Sequence, residues 1–129
     1  MEADISKPSD AEVEILCILW DHQPATVRFV HEALCKKKQV GYTTTLKQMQ
    51  RMQEKKMIRR IANDDKTHTY EALLQRDETR NSLFDRLVET AFQGSAMDMV
   101  LHAIGRSKAS PEEIHALKEW LDKIEGKKS

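Results

Sequence analysis

Five residues suited to binding a polyanion, Thr44, Lys47, Gln48, Arg51 and Lys55, recur at i, i+3, i+4, i+7 and i+11. On an α-helix that spacing makes one continuous face, and no acid interrupts the stripe. Lys offers a point charge to phosphate. Arg forks onto phosphate or onto guanine, and Thr and Gln hydrogen-bond base edges. The chemistry indicated is recognition of duplex nucleic acid. Arg51 has two readings, a base contact or a phosphate contact. Leu46, Met49 and Met52 lie on the other side of the same helix and should point inward.

The surrounding charge agrees. Residues 26–61 hold ten Lys/Arg against two acids, Glu32 and Glu54, a net of +8 in a chain whose total is zero. Such segregation suits a polyanion. A basic face can instead dock an acidic protein, so a winged-helix protein-interaction module is the alternative reading.

Several elements must position this face. Ser9-Asp10-Ala11-Glu12 is a capping box, followed by an apolar stripe of Val13, Leu16, Cys17 and Trp20. The helix should stop before Pro24. Thr26 should cap a second helix with the stripe Val27, Val30 and Leu34. Gly41 breaks the pattern, and Thr43 is the expected N-cap of the third helix. Short strands are expected over 57–62 and 67–73, joined by Asn63-Asp64-Asp65-Lys66. Helix, helix, helix, hairpin is a winged helix-turn-helix, assigned to residues 1–75.

Contacts to DNA are expected from Arg28, Tyr42, Thr43, Thr44, Thr45, Lys47, Gln48, Arg51 and Lys55, and from Lys66 and Thr67 in the wing. The start of the third helix presents free N–H groups to phosphate, and Thr44 and Thr45 can reach base edges. Tyr42 either hydrogen-bonds a phosphate or packs its ring under the turn. Asp64 and Asp65 at the wing tip oppose phosphate.

From Arg76 onward the pattern is again helical. Leu83, Phe84, Leu87 and Val88 form one stripe, with Phe92 just beyond it. Met97, Val100, Leu101 and Ile104 form a second. Ile114, Leu117, Leu121 and Ile124 form a third, with Trp120 beside it, after the helix start Ser110-Pro111-Glu112-Glu113. Three short helices enclose little core. Residues 76–129 should therefore be a helical dimerisation domain that buries these stripes against a second copy. The fold expected is mostly α: a winged helix-turn-helix of three helices plus a β-hairpin wing, then a three-helix dimerisation region.

Other classes are disfavoured. No apolar run approaches the ~20 residues of a membrane span, so no direct membrane insertion is expected. Met1-Glu2-Ala3-Asp4 lacks an apolar signal region, and a cytoplasmic location is expected. There is no glycine-rich phosphate loop, no His-Glu-x-x-His and no grouping suited to catalysis, so neither an enzyme nor a cofactor is expected. His31 and Cys35 stand at i and i+4, too few ligands for a metal site, and no metal is expected. Cys35 is read as a partly buried thiol, Cys17 as core and His102 as a core histidine.

The runs Ser9-Asp10-Ala11-Glu12, Thr26-Val27-Arg28, Val40-Gly41-Tyr42-Thr43-Thr44-Thr45-Leu46-Lys47-Gln48-Met49-Gln50-Arg51-Met52 and His68-Thr69-Tyr70 resemble the penicillinase-repressor family (BlaI/MecI/CopY type). Phe92-Gln93-Gly94-Ser95 and the Ser110 helix extend the resemblance over nearly the whole chain. It implies a dimeric bacterial transcriptional repressor on a double-stranded DNA operator. It also implies a membrane sensor metalloprotease pathway, which inactivates some members by cleavage at an Asn-Phe bond. Here the matching stretch is Val100-Leu101-His102-Ala103-Ile104, with His-Ala in that place. Copper-responsive members carry C-terminal Cys-x-Cys pairs, whereas this chain has no cysteine after Cys35.

Overall fold

The computed structural model describes residues 8–61, 67–106 and 110–128. Helix α1 (Asp10–His22) starts at the capping box: the Ser9 hydroxyl accepts the Glu12 N–H at 3.3 Å, and the Glu12 carboxylate accepts the Ser9 N–H at 2.8 Å. It ends two residues before Pro24. Helix α2 (Val27–Cys35) is capped by Thr26, whose hydroxyl accepts the Phe29 N–H at 3.0 Å. Its Val27, Val30 and Leu34 are buried.

Helix α3 (Tyr42–Glu54) begins one residue after Gly41, which is the N-cap and has no side chain to offer. The expectation that Thr43 caps this helix is corrected. The Thr45 N–H already bonds the Gly41 carbonyl at 3.2 Å, so the first turn closes ahead of Thr43, which is left exposed on it. The other end closes with paired bonds, Lys56 N–H to the Gln53 carbonyl at 3.0 Å and Met57 N–H to the Met52 carbonyl at 2.9 Å. That arrangement is a Schellman turn, and it puts Lys56 at φ +64°.

Strands β1 (Ile58–Ile61) and β2 (Thr69–Ala72) pair antiparallel, with Ile58 opposite Ala72 and Ile61 opposite Thr69. Arg59 and Glu71 face each other in this register and form a 2.6 Å ion pair. Ala25, ahead of α2, adds one more rung through two bonds to Tyr70, at 3.0 and 2.8 Å. The expected wing tip, with Asp64, Asp65 and Lys66, lies outside the described residues.

Ile15, Leu16, Leu19, Val30, Met49, Met52, Met57 and Ile58 are each at most 2% exposed and form the centre of this module. Burial of each contributes about 1.5–3 kcal/mol. The buried face of α1 is turned from the expected one: Glu12, Ile15, Leu16 and Leu19 are inside, while Cys17 is exposed. Expecting Cys17 in the core is therefore corrected. The reason is that Ile15, Leu16 and Leu19 join one buried cluster with Met49 and Met52 of α3, and a helix of this width buries only one side.

The chain leaves the hairpin pinned to α1. Trp20 Nε1 donates to the Leu74 carbonyl at 3.0 Å, and Arg76 bonds Asp21 at 2.8 Å. Helix α4 (Arg76–Ala91) follows, then α5 (Ala96–Arg106) and α6 (Pro111–Lys128). The chain divides into two compact units at Asp85 and Arg86, within α4. In the second unit the Phe92 and Gly94 N–H groups both bond the Val88 carbonyl, and Gly94 adopts φ +88°, which suits glycine. Ser95 caps α5, and Ser110 with Glu113 forms a second complete capping box at α6.

Candidate nucleic-acid interface

Which side of α3 is free follows from what its other side buries. Thr45, Met49 and Met52 are at most 1% exposed, and Leu46 is half-buried against them. Helical geometry then leaves Thr43, Thr44, Lys47 and Arg51 outside, and all four are exposed. Gln48 is half-buried at the edge. Among the described residues, Lys47, Arg51 and Arg28 have no carboxylate partner, so their charge is available to a ligand.

Two other cations of the basic block are engaged by acids of α1. Lys38 pairs with Glu14 at 2.6 Å and Lys55 with Glu12 at 3.0 Å. The expected acid-free stripe is corrected at its last member. An acid 43 positions earlier in the chain reaches Lys55. Glu12 is 3% exposed. Burial pushes its carboxyl up, but the Ser9 N–H and the Lys55 ammonium outweigh this and hold it below its ordinary value.

Thr45 requires a second correction. Expected to reach a base edge, it is 1% exposed and faces α2, where its hydroxyl lies 3.3 Å from His31 Nδ1. Position 45 is one helical step from Thr44, enough to turn it from solvent to core. Tyr42 is the first residue of α3 rather than its predecessor. Its exposed ring meets His31 edge-on at 5.4 Å and lies 5.9 Å from the Arg28 guanidinium. The ring thus sits beside Arg28 and steadies it. A cleft of about 430 Å³ opens beside this pair, lined by Thr26, Arg28, Tyr42, Leu46, Thr67 and His68 among others. His31 had no positioning role in the sequence; its i+4 relation to Cys35 was visible, but its approach to α3 was not.

In the C-terminal stripes, Met97 and Leu101 on α5 and Trp120 on α6 are each about 60% exposed, and Phe84, Leu87, Val100, Ile104 and Leu121 are exposed as well. Leu83, Phe92, Ile114 and Leu117 are half-buried. Val88 is corrected: at 7% exposed it is packed within its own chain. The side chain of Ile124 lies outside the described residues. His102 is exposed, not core, with its ring 5.8 Å from that of Phe92. No helix among the described residues is long and apolar enough to cross a membrane, and no three His, Cys, Asp or Glu gather as a metal site there.

A family model described as penicillinase repressor matches residues 8–123. The chain is similar to the transcriptional regulator BlaI of Mycobacterium tuberculosis strain CDC 1551 / Oshkosh: 33% identical over 125 residues, 95% of this chain and 88% of that protein. The figures are the same for the regulator of that name in strain ATCC 25618 / H37Rv.

Proposed function

Because the chain belongs to the penicillinase repressor family, and so is a transcriptional repressor and not an enzyme, we propose that it acts as a homodimer on a pseudo-palindromic operator read by α3. The observation that carries this reading is the exposed, acid-free trio Thr44, Lys47 and Arg51, on a helix anchored by the buried Met49 and Met52. A helix held this way enters a major groove with its first turns toward the bases. Arg28 and Tyr42, beside the start of α3, bind the backbone and set the register.

The exposed apolar residues of α5 and α6 supply the dimer contact. Left bare, they would be an aggregation liability, and a second copy is the closed solution. Two recognition helices then sit about 34–36 Å apart, on half-sites one turn apart. Separating the protomers removes the effective concentration of the second half-site, about 10²–10⁴ in affinity, and ends repression. If a membrane sensor metalloprotease pathway acts on this chain, it does so without the Asn-Phe bond, because α5 carries His102 and Ala103 in that place.

The test is a gel shift of the full chain on DNA upstream of its own gene across a salt series. Binding that resists nonspecific competitor and falls steeply with salt is expected. Absence of a shift at low salt would overturn the reading and favour an acidic protein as the partner.

A further inference from the structure

The cleft beside Arg28 and Tyr42 holds about 430 Å³ between the start of α2, the first turns of α3 and the start of β2. That is the size of a small-molecule site. Its lining has two kinds of surface. Val27 and Tyr70, 7% and 6% exposed, and the half-buried Leu46 are apolar. Arg28, Tyr42 and His68 are exposed and line it too. No Asp or Glu is in the lining, and among the described residues the Arg28 guanidinium has no carboxylate partner. The Tyr42 ring, 5.9 Å away, holds that guanidinium at the cleft. A backbone phosphate satisfies the guanidinium but gains nothing from the apolar lining. A molecule with an apolar body and one acidic end matches both.

We propose that this cleft binds small aromatic carboxylates, with Arg28 taking the acid group and Val27, Leu46 and Tyr70 covering the ring. The guanidinium offers a carboxylate two parallel N–H donors. Two tyrosine rings in the lining, Tyr42 and Tyr70, suit a flat body against which they can stack or meet edge-on. Charge and body are both required. The neutral amide of the same acid gives the guanidinium no charge to pair with, and acetate leaves the apolar lining wet.

The consequence for DNA rests on the reading of α3 given above. There Arg28 and Tyr42 bind the operator backbone beside the start of α3. An Arg28 fork engaged by a carboxylate is not available to a phosphate, and the ligand brings its own negative charge to that surface. Ligand and operator therefore exclude each other, and the cleft is a route by which a small acid releases the repressor from DNA.

The experiment titrates the full chain, without DNA, with 2-naphthoate by calorimetry. A Kd of about 0.1–1 mM is expected for a ligand of this size. The neutral 2-naphthamide and acetate should each bind at least about tenfold more weakly. Arg28→Gln should weaken naphthoate about tenfold, and so should His68→Glu, which puts a like charge in the lining at an exposed position. An unchanged denaturant midpoint shows that each variant is folded. Absence of saturable naphthoate binding up to about 10 mM overturns the proposal. So does equal binding of the amide, or a naphthoate affinity that neither substitution changes. The DNA arm repeats the operator gel shift with naphthoate at about ten times its Kd, against acetate at the same concentration to match the salt. Operator affinity should fall about tenfold relative to acetate. Equal affinity in the two salts overturns the competition. Protein that fails to bind DNA in acetate overturns the reading of α3 instead, and the calorimetry still decides the cleft.

Discussion

The Glu12 carboxylate receives the Lys55 ammonium at 3.0 Å, joining the first turn of α1 to the C-cap of α3. The acid is 3% exposed and also bonds the Ser9 N–H, whereas the Lys55 side chain is half exposed. Solvent therefore screens the ion pair, and the buried hydrogen bonds carry most of its worth.

Glu12→Gln keeps the capping box but loses the charge, and should destabilise the fold by about 1 kcal/mol at neutral pH. The folded carboxyl titrates below its ordinary value, so its contribution is present above the unfolded value, about 4.3, and is lost as pH falls through the folded one. Urea unfolding of both chains should show the gap at pH 7 and its closure in acid below that range. A gap that stays constant down to pH 2 contradicts the assignment.

Lys56 occupies the left-handed region at φ +64°, where a side chain is strained and glycine is not. Lys56→Gly should raise stability by about 1 kcal/mol, read as a higher denaturant midpoint with unchanged slope. The Schellman bonds on either side of it predict this gain even though glycine is a poor residue inside a helix.

Lys47→Ala and Arg51→Ala should weaken operator binding with the fold intact. If each protomer neutralises about four phosphates, log K falls with log salt at a slope near −7. Removing one phosphate contact per protomer should make that slope shallower by about 2. If Arg51 instead reads guanine, its loss should relax sequence preference and leave the slope nearly unchanged. Thr44→Ala should cost affinity without stability. Thr45→Ala should cost stability, because its methyl and hydroxyl are buried.

Leu101→Asp places a charge in the exposed apolar stripe of α5. Analytical ultracentrifugation should show a dimer for the unmutated chain and a monomer for the variant, with operator affinity down by about 10²–10⁴. The isolated protomer should keep its helix content, because Leu101 is already exposed to water in the single chain. A variant that still sediments as a dimer would place the interface elsewhere.

The capping residues Ser9, Thr26 and Ser110 and the inward Met49 and Met52 could be read from the chain alone. Each depends on partners three or four positions away, and helix periodicity dictates those. The outward placement of Lys47 and Arg51 follows from the same rule. Tertiary packing alone decided the residues at the margins of those stripes. Thr45 is buried and Thr44 exposed because α2 brings His31 against one and not the other. Cys17 faces solvent and Glu12 does not, because α3 delivers its methionines and Lys55 to a side of α1 that no local spacing identifies. The physical reason is that short-range periodicity specifies a face to within about one residue. Side chains far along the sequence then choose which of two neighbours on the rim of that face loses its water.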